Sequence, residues 1–345
     1  MEITSLGISS IVIFKKKSKA GACMNHFIDT ACVNPWRNLA LEELLFERSL
    51  EGVCLYLWQN QNTVVIGRNQ NAWKECRVEA LEAAGGRLAR RSSGGGAVFH
   101  DLGNLNFTFL TPRPAYDLHR QLGVVIAAVR SLGIEAGFTG RNDIVAANGS
   151  KFSGNAFRYS NQVGMHHGTI LVDVDMSKLS AYLMPSKAKL AAKGVESVRS
   201  RVCNLTEFVP GLTVATVRGA VAAAFEAEYG KPALLREEDL DQAILEEKER
   251  KYSSWEWRMG SSPACDLELE ERFPWGGVAL QLALSQGQVR EATVYSDAMD
   301  EAFILRIPEA LRGVRFAPAD LAEAILTLGG PEAEDLAAWL RALEV

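Results

Sequence analysis

Arg90-Arg91-Ser92-Ser93-Gly94-Gly95-Gly96-Ala97-Val98-Phe99-His100-Asp101 is the stretch on which the reading of this chain turns. Three consecutive glycines remove every Cβ from one turn, so a ligand can approach the backbone N–H groups directly, and those donors suit an anion. Two arginines at the entrance add permanent positive charge and planar donor forks. Together they describe a pocket for a carboxylate or a phosphate. The bland alternative is a flexible glycine loop beside a surface arginine pair. The segment matches neither the Gly-x-x-x-x-Gly-Lys-Ser/Thr phosphate loop nor Gly-x-Gly-x-x-Gly.

Downstream, Gly140-Arg141-Asn142-Asp143 precedes Gly149-Ser150-Lys151-Phe152-Ser153-Gly154-Asn155-Ala156, with Asn148-Gly149 marking a tight hairpin turn between them. Lys151 sits among small residues just after that turn, where an ammonium can bridge two anionic oxygens; the bland reading is an exposed lysine, as most lysines are. The basic run Lys187–Gly194, continuing to Arg199-Ser200-Arg201, reads either as a solvated face or as a mobile loop that closes over a nucleotide. His100, His166 and His167 have no accompanying ligand set at metal spacing, so hydrogen-bonding or substrate-lining roles are expected. Cys76 and Cys203 are expected to be bystander thiols rather than nucleophiles.

Around these segments, Asn34-Pro35 signals a helix start. The helix carries Leu39, Leu41, Leu44 and Leu45 on a broad apolar face. Val53–Trp58 and Thr63–Ile66 read as strands flanking Gln59–Asn62, a hairpin candidate. Lys74–Ala84 reads as a short helix and Asn104–Leu110 as a strand. Leu118, Leu122, Val125, Ile126, Val129 and Leu132 recur at helical spacing up to Gly133. His167–Val174 alternates like a strand, and Thr213 caps a helix that Gly230 ends. The charged stretch Arg236–Lys251 reads as a linker or a solvated helix. Strand patterns at Gly277–Leu284 and Val289–Tyr295 follow, then helices at Pro318–Leu328 and Pro331–Leu343.

The 345 residues suit two domains. Hydrophobic residues at 48% and charged residues at 23% are those of a globular protein, which excludes a disordered or collagen-like chain. A net charge of -5 supplies no basic field for nucleic acid. No apolar run is long enough to span a bilayer; Leu6–Phe14 is too short, and the lysines after it stand on the wrong side for a secretion signal. Residues 1–23 are expected to be a loosely ordered extension or to precede a natural start at Met24, with a transit peptide as the weaker option because such peptides prefer arginine to lysine. None of the six cysteines forms a Cys-x-x-Cys pair, which points to free thiols in the cytoplasm.

With these residues in view, the chain resembles the two-domain lipoate–protein ligases of the biotin/lipoate ligase superfamily. The resemblance runs from about Asp29 to the C-terminus. It is carried by Asn34-Pro35-Trp36 with Asn38–Glu43, by Thr63–Arg68, by Asn71–Glu75 and by Arg90–Asn104. Gly140–Asp143, Lys151 with Ser153-Gly154, His166–Thr169, Leu190–Glu207 and Ser254–Trp257 complete it. It implies that lipoate attacks the α-phosphate of ATP, giving lipoyl-AMP and pyrophosphate, and that an acceptor lysine then takes the lipoyl group. Implied acceptors are lipoyl domains, on the E2 subunits of 2-oxoacid dehydrogenase complexes, and the glycine-cleavage H protein. The resemblance makes Arg91, Gly96, Ala97, Val98 and Phe99 nucleotide contacts, Lys151 a contact to both nucleotide and lipoate, and Gly95 and His167 lipoate-side residues. Trp58, Val98 and the Leu39–Leu45 helix are available for an apolar slot. Magnesium would screen the leaving pyrophosphate, with Asp143 as a candidate ligand.

Three alternatives remain open. An octanoyl or lipoyl transferase of the same superfamily would work without ATP, but the octanoyltransferases carry a cysteine after a proline where this chain has Ser186, and they lack the C-terminal domain. A biotin ligase would need an arginine-glycine adenylate loop that is absent here. A non-catalytic lipoate carrier would not need Lys151 and both loops. The expected fold is α+β: a large domain, 24–248, with a mixed, mostly antiparallel sheet flanked by helices, and a small α+β domain, 254–345, that rotates between activation and transfer.

Overall fold

The computed structural model describes residues 24–48, 51–139, 143–184, 202–259, 267–285 and 287–343. The expected extension at 1–23, Arg141 and Asn142, Ser186, the basic run from Lys187 to Arg201, Cys23 and Cys265 lie outside them.

The strands are β1 (His26–Asp29), β2 (Cys54–Trp58), β3 (Thr63–Ile66), β4 (Arg87–Arg90), β5 (Val98–His100), β6 (Asn104–Pro112), β7 (Ala136–Thr139), β8 (Asp143–Ala146), β9 (Lys151–Tyr159), β10 (Val163–Leu171), β11 (Ala233–Leu234), β12 (Leu267–Phe273), β13 (Gly276–Ser285) and β14 (Gln288–Ser296). The helices are α1 (Pro35–Glu47), α2 (Ala72–Glu75), α3 (Val78–Ala83), α4 (Leu118–Ser131), α5 (Met176–Tyr182), α6 (Val214–Tyr229), α7 (Gln242–Ser253), α8 (Trp255–Met259), α9 (Glu301–Leu311), α10 (Pro318–Leu326) and α11 (Pro331–Arg341).

Eight strands form the main sheet in the order β11-β1-β2-β6-β10-β9-β8-β7. Pairing is parallel at β11-β1-β2 and antiparallel from β2 onward, so the sheet is mixed and mostly antiparallel. Successive side chains of a strand leave on opposite faces. On β2, Leu55 and Leu57 join Phe107, Phe109, Val125, Val129, Val221 and Phe225 in the core beneath α4 and α6. Tyr56 and Trp58 join Leu39, Leu41, Leu45, Met165, Leu245 and Tyr252 on the face covered by α1 and α7. Truncating one of the buried phenylalanines to alanine costs ~3–5 kcal/mol.

Asn34 caps α1 by accepting the Trp36 N–H, with Pro35 in the first turn. Thr213 caps α6 in the same way through Thr216 N–H. The stretch expected as one helix from Lys74 is two short ones, α2 and α3. The strand expected at His167–Val174 begins earlier, at Val163.

Two expectations change more. β2 and β3 are not a hairpin, because β3 leaves the main sheet to pair with β4 and β5 in a separate three-stranded sheet. The charged stretch near Arg236–Lys251, expected as a linker or a solvated helix, is largely helix, but one face of it is packed rather than solvated. It contains α7, which packs on α1 with Leu245 and Tyr252 buried. Its charges meet partners on α1: Arg37 pairs with Glu237 at 2.6 Å and Glu249 at 3.2 Å, and Lys251 with Glu43 at 2.8 Å.

The small C-terminal α+β domain sets β12-β13-β14 against α9, α10 and α11 around Leu280, Leu282, Ile304, Ile307 and Leu336. It touches the glycine loop directly. Ser296 N–H donates to Asn69 O at 2.6 Å, Gly95 N–H donates to Ala298 O at 2.9 Å, and Arg158 pairs with Glu301 at 3.3 Å.

Candidate active site

The register of the main sheet places the site. Across β2, β6 and β10, Trp58 is opposite Asn106 and Asn106 is opposite Thr169. On β9, Gly154 continues this row, its N–H donating to Thr169 Oγ1 at 3.2 Å. One step along, Tyr56, Thr108, His167 and Ala156 form a second row on the same face. α1 and the Gly94–Val98 loop close over these rows. The resulting cavity is lined by Leu39, Trp58, Val65 and Val98 on its apolar side and by Arg91, His100, Asn106, Lys151, His167 and Thr169 on its polar side.

Lys151 reaches the cavity through a bulge. β8 and β9 turn at Asn148-Gly149, where Gly149 has φ +82°. Asp143 is paired with Gly154 and Ile144 with Ser153, but Val145 with Lys151, so Phe152 is one residue too many. In an unbroken strand Lys151 would leave on the face opposite Gly154. The bulge sends Phe152 into the α4/α6 core and re-aims Lys151 to the cavity side. Its Nζ lies along Gly154, where an added Cβ would come within 2.9 Å of it. It pairs with Asp143 at 2.6 Å.

The two arginines do not stand at the entrance. Arg90 is buried and donates to five carbonyls: Gly67 O, Arg68 O, Gln70 O, Trp257 O and Arg258 O. Arg91 is buried as well; Nη2 donates to Gly94 O at 2.7 Å and Gly96 O at 2.8 Å, and Nη1 to Val65 O at 3.3 Å. The reason is stoichiometric. A turn without side chains leaves inward carbonyls that only a multi-donor group can satisfy, and a guanidinium carries five N–H groups. Burial pulls the Arg91 pKa down to about 10, which still leaves it charged at neutral pH. Gly95 has φ +88°, a conformation that needs glycine, and Gly67 lets its carbonyl approach.

Glu42 is the functional residue that sequence reasoning passed over. It lies on α1 and is 1% exposed. Its Oε1 accepts from His167 Nδ1 at 2.8 Å and from Thr108 Oγ1 at 2.6 Å. A carboxylate accepts only, so the His167 proton sits on Nδ1 and Nε2 accepts from Ser93 Oγ at 2.7 Å. Ser93 Oγ in turn accepts from Arg91 Nε at 3.2 Å. On the other branch, Trp58 Nε1 donates to Thr108 Oγ1 at 3.1 Å. One buried carboxylate thus anchors both the arginine that holds the glycine loop and the tryptophan of the apolar slot. The signal in the sequence was an acid inside a helix face rich in leucine, where a charge must have a partner.

Of the other expected residues, Gly95, Gly96, Ala97, Val98, Arg91, Lys151 and His167 come together around the one cavity. The Phe99 ring turns away and packs on Tyr182, so only its backbone faces the loop side. Leu39 lines the slot, whereas Leu41, Leu44 and Leu45 belong to the core. His166 bonds Gln121 and Asn155, and burial pushes its pKa down to about 3. Cys76 and Cys203 are buried, and desolvation raises their thiols to about 12 and about 11, which suits bystanders.

The family model described as the lipoyl protein ligase A/B catalytic domain matches residues 34–226, and that of the bacterial lipoate protein ligase C-terminus matches residues 262–340. Among solved structures, LipL1 of P. falciparum in complex with lipoate is similar with a TM-score of 0.82 and 25% identity over 92% of this chain and 100% of that one. The bipartite lipoate protein ligase of Thermoplasma acidophilum, described with its E2 lipoyl domain, has a TM-score of 0.60 and 28% identity over 71% of this chain and 99% of that one. A lipoate-protein ligase A bound with ATP has a TM-score of 0.58 and 27% identity over 70% of this chain and 99% of that one. With more than half of its length matched by the catalytic-domain model, and the C-terminal model matched after it, the chain belongs to the lipoate–protein ligase family.

Proposed function

We propose that the protein uses ATP to activate lipoate as lipoyl-AMP and then transfers the lipoyl group to a lysine of lipoyl domains on 2-oxoacid dehydrogenase E2 subunits or of the glycine-cleavage H protein. The observation that carries this is the position of Lys151 Nζ, laid along Gly154 in the same cavity as the Gly95–Val98 loop. The related structures bound to lipoate and to ATP, and the one described with its lipoyl domain, support the choice of substrates and acceptor.

Lipoate is a carboxylate and ATP a polyanion, so their repulsion must be cancelled before oxygen reaches phosphorus. In the first step the carboxylate oxygen attacks the α-phosphorus and pyrophosphate leaves. Lys151 would exchange Asp143 for the two incoming anions and neutralise charge that develops between them. The Gly95–Phe99 backbone and Arg91, which fixes it, would hold the nucleotide; Gly95 and His167 would border the lipoyl chain. In the second step the acceptor amine attacks the acyl carbon, AMP leaves, and a proton is lost from nitrogen.

No cluster of three or more metal-ligating side chains occurs among the described residues. Magnesium commonly uses one or two carboxylates together with substrate phosphates, so a lone Asp143 fits that habit. Bound there it would screen the leaving pyrophosphate.

Gly95 N–H is already given to Ala298 O. An anion that takes this donor must displace the Ala298–Glu301 segment, which supports the expectation that the small domain moves between the two steps. A reducing, cytoplasmic location suits the free thiols Cys32, Cys54, Cys76 and Cys203. The function is tested by lipoate-dependent ATP–pyrophosphate exchange, followed by mass shift of an added lipoyl domain.

A further inference from the structure

We propose that His100 and Asn106 make the acyl cavity selective for the sulfur-bearing ring of lipoate over an all-carbon chain, by presenting N–H donors at its inner end. This rests on the ligase reading above and extends it to substrate choice.

The two side chains are 3% and 1% exposed, and both line the cavity. The hydrogen-bond network decides what His100 offers. Asn38 Nδ2 donates to Cys32 O at 3.0 Å and Gln59 O at 2.7 Å, which fixes that atom as the amide nitrogen. Asn60 faces the same nitrogen at 3.0 Å, where only its Oδ1 avoids setting one NH2 against another, so Asn60 turns Nδ2 toward His100 Nδ1, 3.1 Å away. Nδ1 is therefore the acceptor, and the ring proton sits on Nε2. Nε2 has no hydrogen-bond partner among the described residues. Burial pulls the His100 pKa down to about 3, so the ring is neutral and carries this single N–H at physiological pH. Asn106 Oδ1 accepts from Asn104 Nδ2 at 2.9 Å, and Asn106 Nδ2 has no hydrogen-bond partner among the described residues.

A buried donor without an acceptor is costly, so two of them in one cavity call for a ligand that carries acceptors. Their place in the sheet says which part of the ligand that is. From Gly154, where Lys151 holds the charged end, the row runs through Thr169 and Asn106 to Trp58. Three strand spacings make roughly 14 Å. That separation puts the carboxylate of an extended medium-chain acid at Lys151 and its far end beside Trp58, whose ring meets His100 edge-on at 6.3 Å. The Trp58 N–H is already spent on Thr108. At the far end of lipoate are two sulfurs, polarizable and weakly accepting. An alkyl end leaves both donors unanswered. A wholly apolar slot would separate the two acids by shape alone, whereas polar groups left unpaired by the wrong ligand add discrimination.

The test compares kcat/KM in carboxylate-dependent ATP–pyrophosphate exchange for lipoate, octanoate and 5-cyclopentylpentanoate, which has the ring and chain of lipoate without sulfur. The wild-type protein should prefer lipoate to the cyclopentyl acid by about tenfold, mostly through KM. His100→Phe and Asn106→Leu should each reduce that preference to about threefold or less, read as the ratio of kcat/KM for the two acids on the same preparation. Because Asn60 and Asn104 lose partners in these variants, the wild-type comparison stands as the deciding measurement if either fails to fold. Equal use of lipoate and the cyclopentyl acid, or an unchanged ratio in folded variants, overturns the inference and leaves the ligase reading intact. Exchange with none of the three acids overturns both.

Discussion

Replacing Glu42 tests whether one carboxylate anchors the site. Glu42→Ala removes the acceptor of His167 Nδ1–H and Thr108 O–H, both buried. Each donor left unsatisfied costs ~1–3 kcal/mol. The Arg91 guanidinium, fully buried, also loses a negative charge that helps to offset it. Breaking such a buried arrangement by removing one partner costs about 3–5 kcal/mol in total. Glu42→Gln keeps one acceptor oxygen and the volume of the side chain, so about 1–2 kcal/mol is expected. The functional effect should follow the hydrogen-bond chain. Without Glu42, the His167 proton is free to move to Nε2, Ser93 no longer has its acceptor, and the Arg91 clamp on Gly94 O and Gly96 O loosens. We expect a roughly 10- to 100-fold loss in lipoate-dependent ATP–pyrophosphate exchange for Glu42→Gln, with the KM for ATP raised as well. Urea unfolding and exchange kinetics on the same preparations separate the two effects. A Glu42→Ala protein within 1 kcal/mol of wild type and fully active would refute the reasoning, since neither the buried network nor the loop would then depend on it.

Further outcomes follow from the same structure. Gly95→Ala forces a side chain into a φ +88° conformation, 2.9 Å from Arg91 Nη2; it should cost ~1–2 kcal/mol by thermal unfolding and impair adenylate formation more than transfer from supplied lipoyl-AMP. Burial raises the Glu301 carboxyl from 4.5 to about 7 despite Arg158 and Arg68, so the folded state holds a proton that the unfolded state has lost. This contribution is fully present below pH 4.5, falls as pH rises to about 7 and is gone above it, a difference of up to about 3 kcal/mol. Glu301→Gln should therefore flatten the fall in wild-type stability between pH 5 and 7.5, as read by urea midpoints; parallel pH profiles for the two proteins would contradict it. Cys54 and Cys76, with thiols raised to about 12 by burial, should resist iodoacetamide at pH 8 while the protein is folded, and label only in denaturant.

The fold was legible wherever a local signal sufficed. Asn34-Pro35 starts α1, Thr213 caps α6 and Asn148-Gly149 turns β8 into β9, because caps and turns act within a few residues. Where distant partners decide, the reading failed. Gln59–Asn62 looked like a hairpin turn, yet β3 follows β4 and β5 into another sheet. α9 was missed, and Pro308 lies inside it. The lysine, the glycine turn and the arginines were all recognisable as chemistry for anions. The bulge that aims Lys151 was not, since it exists only in the pairing of two strands. Nor was the inward turn of Arg90 and Arg91, which depends on carbonyls of Gly67–Gln70 and of the turn itself. Glu42 and His167 are 125 residues apart, and only the sheet brings them together.

Lys151 carries the account, and pyrophosphate exchange reports on it directly. The wild-type protein should exchange pyrophosphate into ATP only when lipoate is present, and Lys151→Ala should lose at least roughly 100-fold of that rate while remaining folded. Near-normal exchange by Lys151→Ala would contradict the claim that this ammonium draws the two anions together.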